Sequence, residues 1–340
     1  MDWILILEWV IKSIALILFG LVGFAYTTWF ERRALARIQT RIGPNRAGPA
    51  GLLQPVADAF KLIFKEELIP TKADKFLFLL APALTLLPSL IIWAVVPWGT
   101  SITLFGREIN LYLVDINVGV LYIMAVASIA VYGIVLAGWS SNSKYPLLSS
   151  LRATAQIISY ELTLGLAFVG PILIANSMSM VDIVKMQQSS SWLFFKDWFF
   201  IKQPLGFVIF LLAVLAEVNR APFDMPEAEQ ELVGGYHTEY SGMKFALFFM
   251  AEYIKMIAVS AIAATVFLGG YGGPWVESLP WLGPIYLLLK IIILLFGMIW
   301  VRGTLPRFRY DRLMAFGWKI MLPLALFNVF ITAVVIVLRQ

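Results

Sequence analysis

Long apolar runs separated by short polar connections are the dominant pattern along this chain. About 20 mostly apolar residues are enough to cross the hydrocarbon core of a bilayer as an α-helix. The predicted spans are approximately residues 3–30, 77–98, 118–139, 153–176, 201–218, 244–269, 284–302 and 319–338. The pattern therefore predicts an all-α integral membrane protein of about eight transmembrane helices, with residues 1–340 forming a single polytopic domain.

Composition supports lipid as the solvent of this chain. Hydrophobic residues make up 60% of the sequence and charged residues only 14%, whereas roughly 25% is usual for soluble domains. Tryptophans such as Trp29, Trp139 and Trp300 lie near the predicted helix ends, as expected of the aromatic belts at membrane interfaces.

The distribution of basic residues predicts an orientation. Most of the 26 Lys and Arg residues fall in the connections after the first, third, fifth and seventh spans. Positive charge is retained on the cytoplasmic side of a membrane, so we expect both termini to lie outside. The length and the arginine-rich first connection favour the bacterial cell (inner) membrane over the mitochondrial inner membrane.

The first inner connection carries two patterned segments. Arg33, Arg37 and Arg41 recur at helical spacing and share one face if the first helix continues past the membrane. They could contact anionic lipid headgroups or a protein partner. Further on, the run LLQPVADAFKLIFKEE has an apolar stripe at Leu53, Val56, Phe60 and Ile63. It is too short to span, and we predict a short amphipathic helix in the interface.

Ionisable residues inside the spans are the first candidate functional groups. They are Glu161, Glu217, Glu252, Lys255 and Lys290. A charge at the bilayer centre costs about 2.5–3.5 kcal/mol on insertion scales, so these groups should face the bundle interior. We predict that they form a proton path. Structural alternatives remain: Glu252 and Lys255 could be a plain ion pair and Lys290 could be structural, whereas Glu161 and Glu217 have no evident local cation.

An acidic segment follows the fifth span. Its acids are Asp224, Glu227, Glu229, Glu231 and Glu239. The prolines of RAPFDMP predict a rigid turn beside the membrane. We predict an inner acidic loop that responds to events at the membrane surface, with an ordinary solvated loop as the alternative.

The chain lacks the usual cofactor ligands. It has no cysteine and one histidine, which excludes iron–sulfur clusters and thiolate zinc sites held by this chain. It shows neither a P-loop nor a dinucleotide-binding glycine motif. We therefore expect no metal or cofactor to be bound by this chain alone, and no nucleic-acid partner.

Four segments carry a resemblance to a known family. They are EVNRAPFDMPEAEQELVGGYHTEYSGMKFALFFMAEY from Glu217, ERRALARIQTRIGPNRAGPAGLLQPVADAFKLIFKE from Glu31, KYPLLSSLRATAQIISYEL from Lys144, and WVRGTLPRFRYDRLM from Trp300. Each resembles the H-subunit family of respiratory complex I, the NADH–quinone oxidoreductase, whose mitochondrial counterpart is NADH dehydrogenase subunit 1. The resemblance runs from about residue 20 to the end, and the outer loops at about 99–117 and 178–200 show no family pattern.

The resemblance implies a membrane-arm subunit that forms much of a quinone channel and the start of a proton path. Glu161, Glu217 and Glu252 would belong to that path, and the acidic loop would link it to the quinone cavity. The residues implied at the quinone channel are Arg32, Arg41, Arg46, Asp58, Lys61, Phe223 and Arg302. Quinone would be the substrate. FMN and iron–sulfur clusters would reside in partner subunits, and the implied partners are the other membrane-arm subunits, the quinone-site peripheral-arm subunits and membrane lipids.

Two other functions stay open from the sequence. A stand-alone cation/proton transporter could use intramembrane carboxylates, although the chain shows no repeated halves. A related subunit of a membrane-bound hydrogenase or a ferredoxin-linked complex could share the same motifs.

Overall fold

Helices dominate the computed structural model, which describes residues 3–104, 106–188, 197–225 and 234–339. The helices are α1 (Trp3–Ile38), α2 (Gln54–Ile63), α3 (Lys75–Ile91), α4 (Gly119–Ser140), α5 (Lys144–Ala175), α6 (Met180–Gln187), α7 (Phe199–Lys202), α8 (Pro204–Glu217), α9 (Gly242–Phe267), α10 (Leu282–Thr304), α11 (Tyr310–Phe316) and α12 (Leu322–Arg339). Short 3-10 turns occur at Pro49–Gly51, Ile92–Val95 and Gly235–His237, and a π-helical segment, Gly317–Met321, joins α11 to α12. Two strands, β1 (Ser101–Leu104) and β2 (Arg107–Asn110), pair antiparallel in the connection before α4.

Within the described ranges, seven helices are long and apolar enough to cross a membrane. They are Trp3–Ile38, Lys75–Val95, Gly119–Ser140, Lys144–Ala175, Gly242–Phe267, Leu282–Thr304 and Tyr310–Leu338. They match seven of the eight predicted spans and confirm the predicted class, a helical protein with several membrane-spanning segments.

The predicted span at 201–218 is divided between two helices. Gln203, between α7 and α8, has a non-helical backbone conformation, and Pro204 begins α8. Proline has no N–H to donate and suits the first position of a helix. The 14 residues of α8 make a helix about 21 Å long, shorter than the hydrocarbon core of about 30 Å. An eighth continuous span therefore stays a prediction.

The core lies around α9, which is the most buried of the apolar helices, while α1 is the least buried. The run from Ala258 to Ala264 is almost entirely inaccessible. Small side chains allow helices to approach closely in a membrane protein. This sequence feature explains why α9, rather than a helix rich in large residues, occupies the centre.

The amphipathic helix predicted in the first inner connection is present as α2. Its apolar residues, including Val56, Phe60 and Ile63, are exposed. A hydrogen bond of 2.6 Å between Arg32 Nη1 and Asp58 Oδ2 ties α2 to α1. The helix is confirmed, whereas its place in the membrane interface stays a prediction.

Among the tryptophans that the structure describes, Trp93 departs from the predicted interfacial belt. Trp139 and Trp300 are exposed near helix ends, but Trp93 is buried. Its ring contacts the rings of Phe19 and Trp98, with centroid distances of 5.3 and 5.7 Å. Trp93 therefore packs in the core rather than at the membrane surface, because α1 and the end of α3 meet there.

Candidate functional site

A series of buried charges runs between α1, the turn after α8, α9 and α10. Arg220 is only 3% exposed. Its Nη1 lies 4.0 Å from Glu31 Oε1, and its Nη2 lies 3.5 Å from Glu252 Oε2. Arg302 of α10 donates a hydrogen bond to the same Glu31 oxygen. Buried charges are tolerated when they are paired, and here each carboxylate has a guanidinium beside it.

The local backbone explains how Arg220 reaches this position. The helix α8 ends at Glu217, and Asn219 adopts a left-handed conformation with φ of 55°. Asparagine tolerates that region better than most residues. The reversal points the Arg220 side chain at α9, where its guanidinium carbon lies 4.4 Å from the ring centroid of Tyr253. A cation over an aromatic face adds a favourable contact.

A second ion pair joins α8 to α9. Lys255 Nζ lies 3.1 Å from Glu217 Oε1 and also donates to the Glu217 carbonyl oxygen at 3.1 Å. The last carbonyls of a helix lack intrahelical donors and attract a cation, so the end of α8 is a suitable place for this ammonium group. The expectation that Glu217 has no nearby cation is wrong. The alternative of a Glu252–Lys255 pair is also corrected, because Lys255 pairs with Glu217 while Glu252 lies beside Arg220.

A small cavity lies next to both ion pairs. It has a volume of about 40 Å³, and its lining includes Glu217, Glu252, Lys255, Asn219 and apolar residues of α4 and α9. A polar cavity needs about 10–15 Å³ to accept one water molecule. The space is therefore large enough for water between the two carboxylates, and water can carry a proton between groups that do not touch.

Glu161 occupies a separate position near this series. Its carboxylate accepts a hydrogen bond from Ser128 of α4. It is close enough to Glu217 and Lys255 for an electrostatic interaction. It also lines an open apolar groove of about 510 Å³ between α4, α5 and α12. Glu161 therefore lines this open groove and not the small cavity.

Lys290 lies apart from the acids. Its ammonium group donates to the carbonyl oxygens of Leu268, Gly270 and Gly272 at 2.7, 2.7 and 2.8 Å. It also lies 4.3 Å from the ring centroid of Trp198. These contacts are at the end of α9 remote from Glu252. The arrangement favours the structural alternative for Lys290, because all of its donors are used to hold the segment that follows α9.

The acidic loop is described only in part. Asp224 is buried and accepts a hydrogen bond of 2.8 Å from Arg307 Nη2, and Glu239 is half-buried before α9. Glu227, Glu229 and Glu231 lie outside the described residues. The predicted surface loop thus begins with an acid that is already buried and paired.

The residues implied at the quinone channel fall into separate groups. Asp58 Oδ2 lies 2.6 Å from Arg32 Nη1, and Asp58 Oδ1 lies 3.8 Å from Lys61 Nζ. These three residues form one ionic group that joins α1 to α2. Arg302 joins the buried series through Glu31. Arg41 is exposed and donates to the Gln39 side chain, and Arg46 is also exposed.

Phe223 is a core residue in this arrangement. It is buried, and its ring packs against the rings of Tyr160 and Phe308 at centroid distances of 5.6 and 5.8 Å. Its side chain fixes the turn after α8 to α5 and to the segment before α11.

The family is decided by comparison with known proteins. A family model described as NADH dehydrogenase matches residues 11–333. The chain belongs to this family. The H subunit of the NADH-quinone oxidoreductase of Thermomicrobium roseum is 52% identical over 340 residues, which cover 98% of both chains. The H 1 subunit of the Geobacter metallireducens enzyme is 51% identical over 97% of both chains, and that of the Cytophaga hutchinsonii enzyme is 46% identical over 98% of both chains.

Membership of the NADH dehydrogenase family confirms the resemblance that the four motifs carry. The chain is a multi-pass membrane subunit of an NADH–quinone oxidoreductase, an assembly of several subunits. These relatives favour the quinone oxidoreductase over a stand-alone transporter and over a hydrogenase-linked complex.

The sequence analysis did not identify two residues of the buried series, Glu31 and Arg220. Glu31 follows an apolar span and precedes two arginines, so it resembles an ordinary surface residue. Arg220 stands in an acidic segment and resembles a solvated counter-charge. The available signal was the position of Glu31, an acid at the end of an apolar run, where it requires a buried partner.

Proposed function

We propose that this chain forms the quinone access and binding channel together with a peripheral-arm partner, and couples quinone reduction to proton translocation through its buried carboxylates. The single observation that carries the proposal is the buried series Arg302–Glu31–Arg220–Glu252, next to the Glu217–Lys255 pair. A membrane protein does not hold this many buried charges for stability alone, because desolvating an ion pair costs about as much as its attraction returns.

In this proposal the chain crosses the membrane eight times, with α8 as a short span and both termini outside. Electrons come from partner subunits that hold FMN and iron–sulfur clusters. The quinone headgroup lies near the ends of α1 and α10, where Arg302 contacts Glu31. The ionic group of Arg32 on α1 with Asp58 and Lys61 on α2 lies on the same part of α1.

Two electrons give the quinone two negative charges, which are cancelled when it takes up two protons to form quinol. The charge beside Glu31 therefore changes while these protons are drawn from neighbouring groups. One oxygen of Glu31 lies beside two guanidinium groups, those of Arg220 and Arg302. Because Arg220 also lies beside Glu252, a proton or a displacement at Glu31 alters the balance of charge at Glu252. The signal then reaches the cavity that Glu252 shares with Glu217.

The onward step of the path uses Glu161. It interacts electrostatically with Glu217 and Lys255 and faces an open groove at the outside of the bundle. That placement supports a path that leaves this chain towards a neighbouring membrane-arm subunit.

Replacing Glu217 by glutamine tests the proposal. Glu217→Gln keeps the shape of the side chain and removes the proton-binding charge beside Lys255. We expect the variant to assemble in the complex and to lose most of the proton pumping coupled to quinone reduction. The measurement is acidification of liposomes that contain the purified complex, with quinone reduction followed in the same sample.

The matched control is Glu277→Gln, because Glu277 is exposed in the connection between α9 and α10. It should behave as the wild-type protein. Wild-type coupled pumping in Glu217→Gln would exclude Glu217 from the path.

A further inference from the structure

The last two residues of α8 and the turn that follows them, together residues 216–225, are held by one buried side chain from another helix. Gln156 of α5 is fully inaccessible. Its Nε2 donates to Ala216 O at 2.9 Å and to Phe223 O at 2.7 Å, and lies 3.3 Å from Asn219 Oδ1. A single amide group therefore contacts the turn at three points.

Local backbone hydrogen bonds and the Gln156 amide together satisfy this segment. After Glu217 the backbone is irregular, and residues 216–225 are buried throughout. Carbonyl groups in an apolar interior are costly unless they accept a hydrogen bond. Ala216 O already accepts from Asn219 N at 3.3 Å, and Phe223 O accepts from Met225 N at 3.0 Å. Gln156 adds a further donor to each of these carbonyl groups and so ties them to α5.

The contacts lie on both sides of Arg220. Ala216 precedes it and Phe223 follows it, so the Gln156 amide closes the turn around the arginine. The charged and titratable groups that face the Arg220 guanidinium are Glu31 of α1, with Arg302 of α10 behind it, and Glu252 and Tyr253 of α9. Gln156 itself is bonded to the turn and not to these groups.

We propose that Gln156 is a positioning residue of the oxidoreductase. It fixes the turn so that the Arg220 guanidinium stays between Glu31 and Glu252, and it acts on the reaction only through Arg220. The proposal rests on the proposed function of the buried series.

A second buried glutamine provides a matched control. Gln187 of α6 is equally inaccessible and donates to Thr265 O at 3.0 Å and to Val266 O at 3.1 Å. Its Oε1 accepts from Gly269 N at 3.0 Å. It thus holds the last turn of α9 and the segment that follows it, at the end of α9 remote from Glu252. Replacing it by methionine removes a similar set of hydrogen bonds without disturbing the buried series.

The experiment compares Gln156→Met, Gln156→Glu and Gln187→Met in the whole oxidoreductase, reconstituted in liposomes. The measurements are the quinone reduction rate across pH and the melting temperature of the complex. We expect Gln156→Met to lower kcat by about tenfold, as for the loss of one well-placed buried contact. The pH profile of quinone reduction should also shift, because the Arg220 guanidinium loses its fixed position between Glu31 and Glu252.

The control and the conservative variant should behave differently. Gln187→Met should lower the melting temperature as much as Gln156→Met and leave the pH profile unchanged. Gln156→Glu should regain part of the lost activity, because a protonated carboxyl group can still donate one hydrogen bond to the turn.

A wild-type pH profile in Gln156→Met would overturn the proposal, and so would an equal shift in Gln187→Met. If Gln156→Met does not assemble, a wild-type profile and rate in Gln156→Glu across the pH range has the same consequence. The variant Arg220→Gln distinguishes failure of the role of Gln156 from failure of the proposed function. If it is impaired while the Gln156 variants match the wild type, only the role of Gln156 fails, whereas a fully active Arg220→Gln contradicts the proposed function itself.

Discussion

Arg220 is the residue on which the buried series depends. Its guanidinium lies beside two carboxylates from different helices and over the ring of Tyr253. The sequence predicted that the intramembrane charges would face the bundle interior, because lipid cannot solvate them. It did not predict the partners. Lys255 is three residues from Glu252 on the same helix, yet it pairs with Glu217, since the packing of α8 on α9 decides which groups meet.

Neutralising Arg220 should impair both stability and activity. Arg220→Gln leaves Glu31 and Glu252 without the guanidinium between them, and removing one partner of a buried ion pair costs about 3–5 kcal/mol. We expect a lower melting temperature for the complex and at least about a tenfold loss of quinone reduction. Thermal unfolding and steady-state kinetics measure the two effects. Arg107→Gln, in the exposed hairpin, is the control and should change neither, and a fully active Arg220→Gln would contradict the role given to the series.

Among the elements, α8 and α9 show what hydropathy can and cannot predict. The apolar run at 201–218 predicted one continuous span, but Gln203 and Pro204 divide it, and α8 reaches only about 21 Å. Hydropathy is averaged over a window of residues, so it does not detect a single interruption of the helix such as the one at Gln203 and Pro204. The α9 helix was predicted with nearly correct limits because its apolar run is long and ends in glycines. Its central position depends on small residues, which the prediction of spans did not use.

The segment after α9 provides a test of the structural role of Lys290. Lys290→Met removes the donor for three buried carbonyl groups, and each unsatisfied group costs about 1–3 kcal/mol. We expect a lower melting temperature and an unchanged ratio of protons pumped to electrons transferred. Lys185→Met, at an exposed site on α6, should be neutral in both measurements. A reduced pumping ratio in Lys290→Met at wild-type stability would instead place Lys290 on the proton path.

For the whole molecule, composition was sufficient to predict a helical membrane protein, and the long motifs were sufficient to predict the family. The orientation is a prediction that rests on the distribution of Lys and Arg alone. The sequence placed the link between the quinone channel and the proton path in the acidic loop, which stays a prediction. The meeting of four elements around Arg220 could not be predicted, because they are distant in sequence.

The orientation can be tested with a single engineered thiol, because the chain has no cysteine. Arg107→Cys places a thiol in the exposed hairpin before α4, which the positive-inside rule assigns to the outer side. A membrane-impermeant maleimide should label this subunit in right-side-out vesicles and leave it unlabelled in sealed inside-out vesicles. The reverse pattern would invert the assignment.

The central claim is that one continuous series of buried charges couples quinone reduction to proton translocation. Glu252 is its most sensitive point, because it lies beside Arg220 and also lines the cavity shared with Glu217 and Lys255. The most direct measurement is the number of protons pumped per two electrons in liposomes containing the complex with Glu252→Gln. Our account predicts that quinone reduction continues at a reduced rate while the ratio falls well below the wild-type value. A wild-type ratio would contradict it.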